Sequence, residues 1–151
     1  MKSFKELLYI TELFDNPAPF SKQKEGTMMG GNHLIVYEAE INGHHLELND
    51  EISDFGDHRH DIDFVVDGNF DVTNNNEDYI KIFSTVVAII EKIIKDYDTP
   101  PISFTGKSDD DSRNSLYKKM ARVMARKHGY DLDVRPDPSH KGYTLYQLDP
   151  K

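Results

Sequence analysis

The dipeptide Asn42-Gly43, set between two runs of alternating apolar and polar residues, constrains the fold of this chain more than any other feature. A type I′ turn needs a positive φ at both central residues, and Asn-Gly meets that demand better than most pairs. A two-residue turn also fixes the register of the strands on either side of it, and hydrophobic alternation selects the same register. The predicted cross-strand pairs are Ile41 with His44, Ala39 with Leu46 and Tyr37 with Leu48.

The same register gathers Glu38, Glu40, His45 and Glu47 on the face opposite the apolar one. Glu38 lies directly across from Glu47, which costs a few tenths of a kcal/mol unless a basic group lies between them. The hairpin is therefore predicted to have one apolar face and one acidic face.

Alternation continues from about position 58 to position 72, which predicts a third strand. His58 and His60 fall on its apolar face, whereas Asp61 and Asp63 extend the acidic face if the strand pairs with the hairpin. Gly68 interrupts this run, and a glycine inside a strand is typical of a bulge.

The remaining elements follow from periodicity and from turn residues. The predictions are a short amphipathic helix at 3–14, a loop or arm at 15–32, a long helix at 76–97, a strand at 102–104, a second helix from 109–112 to about 128, and two strands at 131–135 and 142–148.

This order predicts an α+β fold with a mixed, mostly antiparallel sheet and two main helices. The chain has 151 residues, the usual length of one domain. We expect residues 1–32 to be an N-terminal helix and arm, and residues 33–151 to be a single domain.

Composition excludes several classes of function. Eighteen Lys and Arg against 27 Asp and Glu give a formal charge of −9, which argues against a general nucleic-acid binder. No apolar run approaches the roughly 20 residues that span a bilayer, and Lys5, Glu6 and Glu12 interrupt the segment where a signal peptide would lie. Cysteine is absent, so thiol chemistry and thiolate metal sites are excluded. A cytoplasmic location is expected.

From residue 33 to residue 148 the order of elements resembles that of the GNAT acetyltransferases. Gly68 falls where such a fold places its β-bulge, and the segment from Arg113 to Tyr117 looks like the start of the family's second conserved helix. In that family a tyrosine on this helix protonates the departing thiolate of coenzyme A. The resemblance thus implies acetyl-CoA as cofactor, Tyr117 as general acid, and cofactor contacts at Gly68, Asn74, Asn75 and Asn76.

The segment before the long helix departs from that pattern. The family holds the pyrophosphate on a glycine-rich loop at a helix N-terminus, a position that attracts anions. Residues 73–78 contain no glycine and place Glu77 and Asp78 where phosphates would lie. Like charges at such a distance repel by about a kcal/mol or more. We therefore expect no bound cofactor and a fold of this type without its catalysis.

A second resemblance is to small uncharacterised proteins of tailed bacteriophages. It covers most of the chain and is carried by residues 1–8 and 12–17, by the stretch from Phe83 to Ile90, and by the stretch from Ser112 to Tyr117. It implies a virion-associated or host-interaction role, in the host cytoplasm or in the virion.

Basic residues concentrate on the second predicted helix, and two interpretations of them remain open. They form either an ordinary solvated helix face or a patch that binds an acidic partner, with the acidic sheet face repelling other anions. These residues are Arg113, Lys118, Lys119, Arg122 and Arg126.

Four histidines, His44, His45, His58 and His60, are the candidate metal ligands. Strand alternation sends His45 to the opposite face from His58 and His60, so structural roles are favoured and no metal is predicted. Residues 109–111 are three aspartates that suit either helix capping or magnesium, and capping is favoured.

The sequence thus predicts a non-catalytic protein that binds another macromolecule, most readily a protein. A degenerate acyl-CoA-dependent N-acyltransferase with Tyr117 as general acid is the alternative. The oligomeric state stays open.

Overall fold

The computed structural model describes residues 16–67, 76–107, 111–139 and 141–151; the side chains of residues 76, 77, 79, 107 and 111–114 are not described. The described residues form seven strands and two helices in an α+β arrangement. In chain order these are β1 Phe20–Thr27, β2 His33–Ile41, β3 His44–Ile52, β4 His60–Val66, α1 Asn76–Asp96, β5 Ile102–Lys107, α2 Asp111–His128, β6 Tyr130–Pro136 and β7 Tyr143–Pro150.

The strands form one mixed sheet in the order β1-β2-β3-β4-β5-β7-β6. All neighbouring pairs in this sheet are antiparallel except β4 with β5, which are parallel and joined by the crossover through α1. The predicted fold class, a mostly antiparallel mixed sheet with two helices, is confirmed.

The β2–β3 hairpin has the predicted register, with Ile41 opposite His44 and Glu38 opposite Glu47. Asn42 has a φ of 50° and Gly43 a φ of 83°, as a type I′ turn requires. His45 lies between two acidic side chains on this face: its Nε2 is 3.7 Å from Glu38, and its Nδ1 contacts Glu40. A basic group thus reduces the repulsion that the register creates.

Both helices pack on the apolar face of the sheet. The ring of Phe83 on α1 lies 5.7 Å from Phe64 on β4, and the ring of Tyr117 on α2 lies 6.1 Å from Phe104 on β5. Helix α1 is apolar around most of its circumference, so even Ser84 and Thr85 are buried. Thr85 accepts a hydrogen bond from the backbone N–H of Ala18 at 2.9 Å, which fixes the start of the described chain against this helix.

The prediction of a loop at residues 15–32 is wrong for residues 20–27, which form β1 at the edge of the sheet. This strand pairs with β2 through its backbone, with an irregularity between Lys22 and Lys24. Its side chains are almost all exposed, so the sequence has no alternation of apolar and polar residues here that would predict a strand. Pro19 and Gly26 indicate a loop, but both residue types are tolerated at sheet edges.

The third predicted strand is shorter than expected. β4 covers only residues 60–66 because His58 and Asp67, at its two ends, have φ values of 54°, which are incompatible with an extended strand. The placement of His58 on the apolar face is therefore wrong: it lies in the β3–β4 loop and is exposed. Gly68 and the rest of the predicted strand lie outside the described residues.

The other predicted elements near the C-terminal half agree closely with the structure. Helix α1, strand β5, helix α2 and the two strands β6 and β7 all occur at the expected positions. The predicted helix at 3–14, and the aspartates at 109 and 110 that were expected to cap α2, lie outside the described residues.

Candidate functional site

The basic side chains of α2 lie on the side of the helix that faces away from the sheet. Lys118, Arg122 and Arg126 are exposed and follow one another at four-residue spacing, while Lys119 beside them is half-buried. That spacing places three cations along about 12 Å of one helix face. The orientation follows from the apolar stripe on the opposite side of α2, which is buried in the core: Tyr117, Met120, Ala121, Val123 and Met124.

Within the described part of the chain, no carboxylate lies within ion-pairing distance of Lys118, Lys119, Arg122 or Arg126. Several other cations of this acidic chain do have such partners, among them Arg59 with Asp149, Lys92 with Asp96, Lys127 with Glu91 and Arg135 with Asp133. Lys24, Lys95 and Lys141 are also exposed and have no such partner among the described residues, but they lie in three different parts of the fold. We call Lys118, Lys119, Arg122 and Arg126 the basic face. Arg113 was predicted to belong to the basic face. It lies on the same helix, but its side chain is not among those that the structure describes.

The acidic face of the sheet also forms as predicted, because β4 pairs with β3 in a register that puts Asp61 opposite Glu51. Shielding from water and the like charges of Asp63 and Glu51 raise the pKa of Asp61 above its ordinary value. The Ser103 hydroxyl donates to Asp61 at 3.2 Å and opposes that shift. The protein therefore presents separate surfaces of opposite charge.

Tyr117, the predicted general acid, is 7% exposed and lies inside a cluster of aromatic rings. Its ring centre is 5.2 Å from that of Phe83 and 5.9 Å from that of Phe64. Phe104 and Tyr146 lie on its other side, each 6.1 Å away. Tyr146 is fully buried, so this is a dry environment, and burial raises the pKa of Tyr146 to about 12.

The rings of this cluster lie where β4 and β5 separate. The two strands pair over only three positions, from His60 opposite Ile102 to Ile62 opposite Phe104, and then continue without pairing. Tyr117 spans this opening on the helix side, since it contacts Phe64 beyond the last pair on β4 and Phe104 on β5. In open sheets the crevice beyond the carboxyl ends of parallel strands is a common place for ligands.

The predicted cofactor contacts lie almost entirely outside the described residues. Gly68, Asn74 and Asn75 lie outside the described residues, and of Asn76 only its position in the first turn of α1 is described. Asp78, one of the two acids expected to repel phosphates, is described, and its carboxylate contacts His44 at 3.2 Å.

Three of the four candidate histidines, His44, His45 and His60, lie in separate environments built mainly from acidic partners. His44 lies between Asp67, 2.7 Å from its Nδ1, and Asp78. These contacts raise the pKa of His44, and the largest cause is the hydrogen bond that its ring donates to the Asp67 carboxylate. His45 has Glu40 and Glu38 as described above, and its pKa is raised chiefly by the hydrogen bond to Glu40.

His60 is 1% exposed and forms a buried pair with Asp50, whose two carboxylate oxygens are each 2.9 Å from Nδ1. The ring of Tyr97 lies 4.6 Å from that of His60 and covers the pair. Among the residues that the structure describes, no group of three or more potential ligands is arranged to hold a metal ion.

Sequence analysis did not predict the bridge from His44 to Asp67 and Asp78, or the pair of His60 with Asp50. Their partners are 10 to 34 residues apart in the chain. The alternation of β3 and β4 does put Asp50 and His60 on the apolar face, and two polar residues on such a face indicate a buried pair.

Comparison with known proteins gives one match. A family model described as a family of unknown function, DUF6934, matches residues 36–142 and so covers most of the sheet, both helices and the basic face. No curated protein and no solved structure gives a significant match to the chain. Within the described residues, neither helix is long and apolar enough to cross a membrane.

Proposed function

Because this chain belongs to the family of unknown function DUF6934, we propose its role from its own geometry: it is a non-catalytic protein that binds an acidic protein partner through the basic face of α2. The observation that carries this proposal is the row of three exposed cations on one face of α2, Lys118, Arg122 and Arg126, which have no acidic partner among the described residues of a chain with net charge −9.

The separation of a basic face on α2 from an acidic face on the sheet favours binding of one kind of partner, an acidic one. Exposed cations on one surface steer an acidic partner toward it, while the acidic sheet face repels the same partner elsewhere. A nucleic acid fits less well, because a long polyanion experiences the net negative charge of the whole molecule. The proposed setting, a phage protein acting in the host cytoplasm or in the virion, is supported by the resemblance of four sequence segments.

The test is comparative capture of partners with three versions of the protein. The first is the wild type, the second carries Lys118→Glu, Arg122→Glu and Arg126→Glu, and the third carries Lys24→Glu, Lys95→Glu and Lys141→Glu. The third version makes the same change in net charge at exposed sites elsewhere on the surface. Quantitative mass spectrometry then identifies the proteins that each version retains.

We expect acidic proteins that the wild type and the control retain and that the α2 variant loses by about tenfold or more, with retention that falls as salt rises. Equal retention by the α2 variant and the control would refute the basic face as the binding surface. Thermal unfolding of all three versions checks that the substitutions leave the fold intact.

An acyl-CoA-dependent N-acyltransferase is the second candidate, and the opening between β4 and β5 favours it. Tyr117, the general acid that the resemblance to GNAT enzymes implies, lies beside that opening, next to Phe64 and Phe104. Calorimetry with acetyl-CoA tests this candidate: saturable heat, together with acetyl transfer that Tyr117→Phe abolishes, would support it. Absence of heat at millimolar acetyl-CoA would remove it.

A further inference from the structure

Three large apolar side chains are exposed at one end of the sheet. Phe55 in the β3–β4 loop is 78% exposed, Met29 in the β1–β2 turn is fully exposed, and Met28 beside it is 40% exposed. Both connections lie at the same end because the first four strands run alternately up and down. We call Met28, Met29 and Phe55 the apolar tip.

The two connections that carry the apolar tip are joined by Asn32. Its side-chain oxygen accepts a hydrogen bond from the backbone N–H of Asp54 at 3.0 Å, and its amide donates to Glu51 at 3.1 Å. Gly31 allows this approach, since a Cβ atom there would lie 2.8 Å from the Asp54 carboxylate. The three apolar side chains therefore belong to one joined surface.

The loop that presents Phe55 is held by its own hydrogen bonds. The Ser53 hydroxyl donates to the carbonyl of Phe55 at 2.9 Å, and the Ser53 N–H donates to the carbonyl of Arg59 at 3.0 Å. His58 Nδ1 lies 3.0 Å from the Ser53 carbonyl. An aromatic ring held in water by such a loop does not stabilise the fold. Exposed apolar side chains on hydrogen-bonded loops are typical of interaction surfaces.

The charge beside the apolar tip is negative. Among the described residues, no cation lies within ion-pairing distance of Glu51 or Asp54, whereas Asp57 has Arg59 at 3.6 Å. A second copy of this surface, or an anionic lipid headgroup, would bring like charges together. A segment with cationic side chains beside apolar ones matches both the charge and the exposed apolar side chains of the tip.

We propose that the apolar tip is a docking surface for a protein segment that supplies apolar side chains flanked by Lys or Arg. Phe55 is the anchor, because aromatic residues carry much of the energy of interfaces. The two methionines adapt to the shape of the bound segment, since their side chains are unbranched and flexible. This surface is separate from the basic face of α2 and does not depend on the function proposed for it.

The experiment selects peptides from a random library on the immobilised full chain and measures the selected peptides by fluorescence anisotropy. Phe55→Ser removes the anchor, and Val134→Ser is the matched control, a half-exposed apolar residue on strand β6 at the other edge of the sheet. Asp54→Asn removes one charge while preserving the shape of its side chain. Thermal unfolding checks that each variant is folded.

We expect enriched peptides with apolar residues beside Lys or Arg, which bind Phe55→Ser about tenfold or more weakly and bind Val134→Ser as they bind wild type. Asp54→Asn should weaken binding and reduce its dependence on salt. The Lys118, Arg122 and Arg126 reversals should leave these peptides unaffected, which separates this surface from the basic face.

Three results would overturn the proposal. The first is the absence of enriched peptides, or enriched peptides that bind Phe55→Ser as well as wild type. The second is Phe55-dependent binding to vesicles of phosphatidylcholine with or without phosphatidylglycerol, which would assign the surface to a membrane. The third is Phe55-dependent self-association in sedimentation velocity, which would make the partner a second copy.

Discussion

Substitution of Gly106 by alanine tests how closely Tyr117 packs against strand β5. A Cβ atom at this position would lie 2.7 Å from Cδ2 and 3.0 Å from Cε2 of the Tyr117 ring. Carbon atoms in favourable contact are about 3.5–4.0 Å apart, so the added methyl group would overlap the ring by roughly 1 Å. Either the ring or the strand must move to accommodate it.

The expected cost in unfolding free energy is about 1–3 kcal/mol, the usual range for overpacking a core. In a variant that lacks the Tyr117 ring, Gly106→Ala should no longer lower the unfolding free energy. Gly106 has no positive φ, and Gly→Ala at a compatible position stabilises by about 0.4–1 kcal/mol because it restricts the unfolded chain. The effect of Gly106→Ala therefore depends on the identity of residue 117.

The assay is a double-mutant cycle in urea with wild type, Gly106→Ala, Tyr117→Ala and the double variant. Alanine lacks the γ, δ and ε atoms of the Tyr117 ring that a Cβ at position 106 would meet. Gly106→Ala should be neutral or slightly stabilising in the Tyr117→Ala background, which gives a coupling energy of about 1–3 kcal/mol. Gly26→Ala is the control, since a Cβ atom there meets no atom within 4 Å.

Two results would refute this reasoning. One is additivity of the two substitutions within about 0.5 kcal/mol, which would mean that the side chains do not contact each other. The other is stabilisation of the otherwise wild-type protein by Gly106→Ala, which would mean that the Tyr117 ring lies away from β5.

Three further predictions concern the hairpin tip and the buried pair. Gly43→Ala forces a side chain into a φ of 83° and should cost about 1 kcal/mol or more of unfolding free energy in urea; a neutral effect would contradict the type I′ turn. Asp50→Ala leaves the buried His60 ring without its hydrogen-bond partner and should cost about 1–3 kcal/mol, seen as a fall in melting temperature, whereas an unchanged melting temperature would contradict the pair. Because the folded pKa of His44 is raised, its stabilising contribution is complete below pH 6.5 and is lost as pH rises through that pKa, so the difference in urea stability between wild type and His44→Gln should shrink from pH 6 to pH 9. A difference that grows with pH would contradict the bridge.

The elements that sequence analysis predicted correctly are those whose signals are local. Asn42-Gly43 specifies its own turn, and the flanking alternation specifies the register, so the hairpin needs no information from elsewhere in the chain. The long apolar stripe of α1 is equally self-sufficient, because a helix that is apolar on most sides must be buried.

Sequence analysis did not predict strand β1 because an edge strand is held in place mainly by hydrogen bonds to the backbone of the neighbouring strand. Its stabilisation comes from hydrogen bonds to β2, and its exposed side chains carry no pattern that distinguishes them from a loop. The end of β4 at Asp67 was missed for a related reason. The backbone N–H of Asp67 donates to the carbonyl of His45 at 2.8 Å, and that contact depends on a hairpin more than 20 residues earlier.

The candidate site was predictable in part. Helical spacing alone puts Lys118, Arg122 and Arg126 on the face opposite the apolar stripe, and they are exposed as it requires. The burial of Tyr117 among four rings depends on three strands and a helix that meet only in the folded chain. The exposure of Phe55 also depends on tertiary structure, since an aromatic side chain is ordinarily expected to be buried.

The position of β7 in the sheet affects how the protein folds during synthesis. β7 follows β6 in the chain but lies between β5 and β6, and it provides the hydrogen-bonding partners of both. A nascent chain that has released β5, α2 and β6 from the ribosome therefore holds two strands that cannot pair with each other in the native order. Tyr146 and Leu148, which fill the core beneath this part of the sheet, arrive with β7 as well. This half of the domain should stay unfolded until β7 has left the exit tunnel, and during that interval it depends most on chaperones.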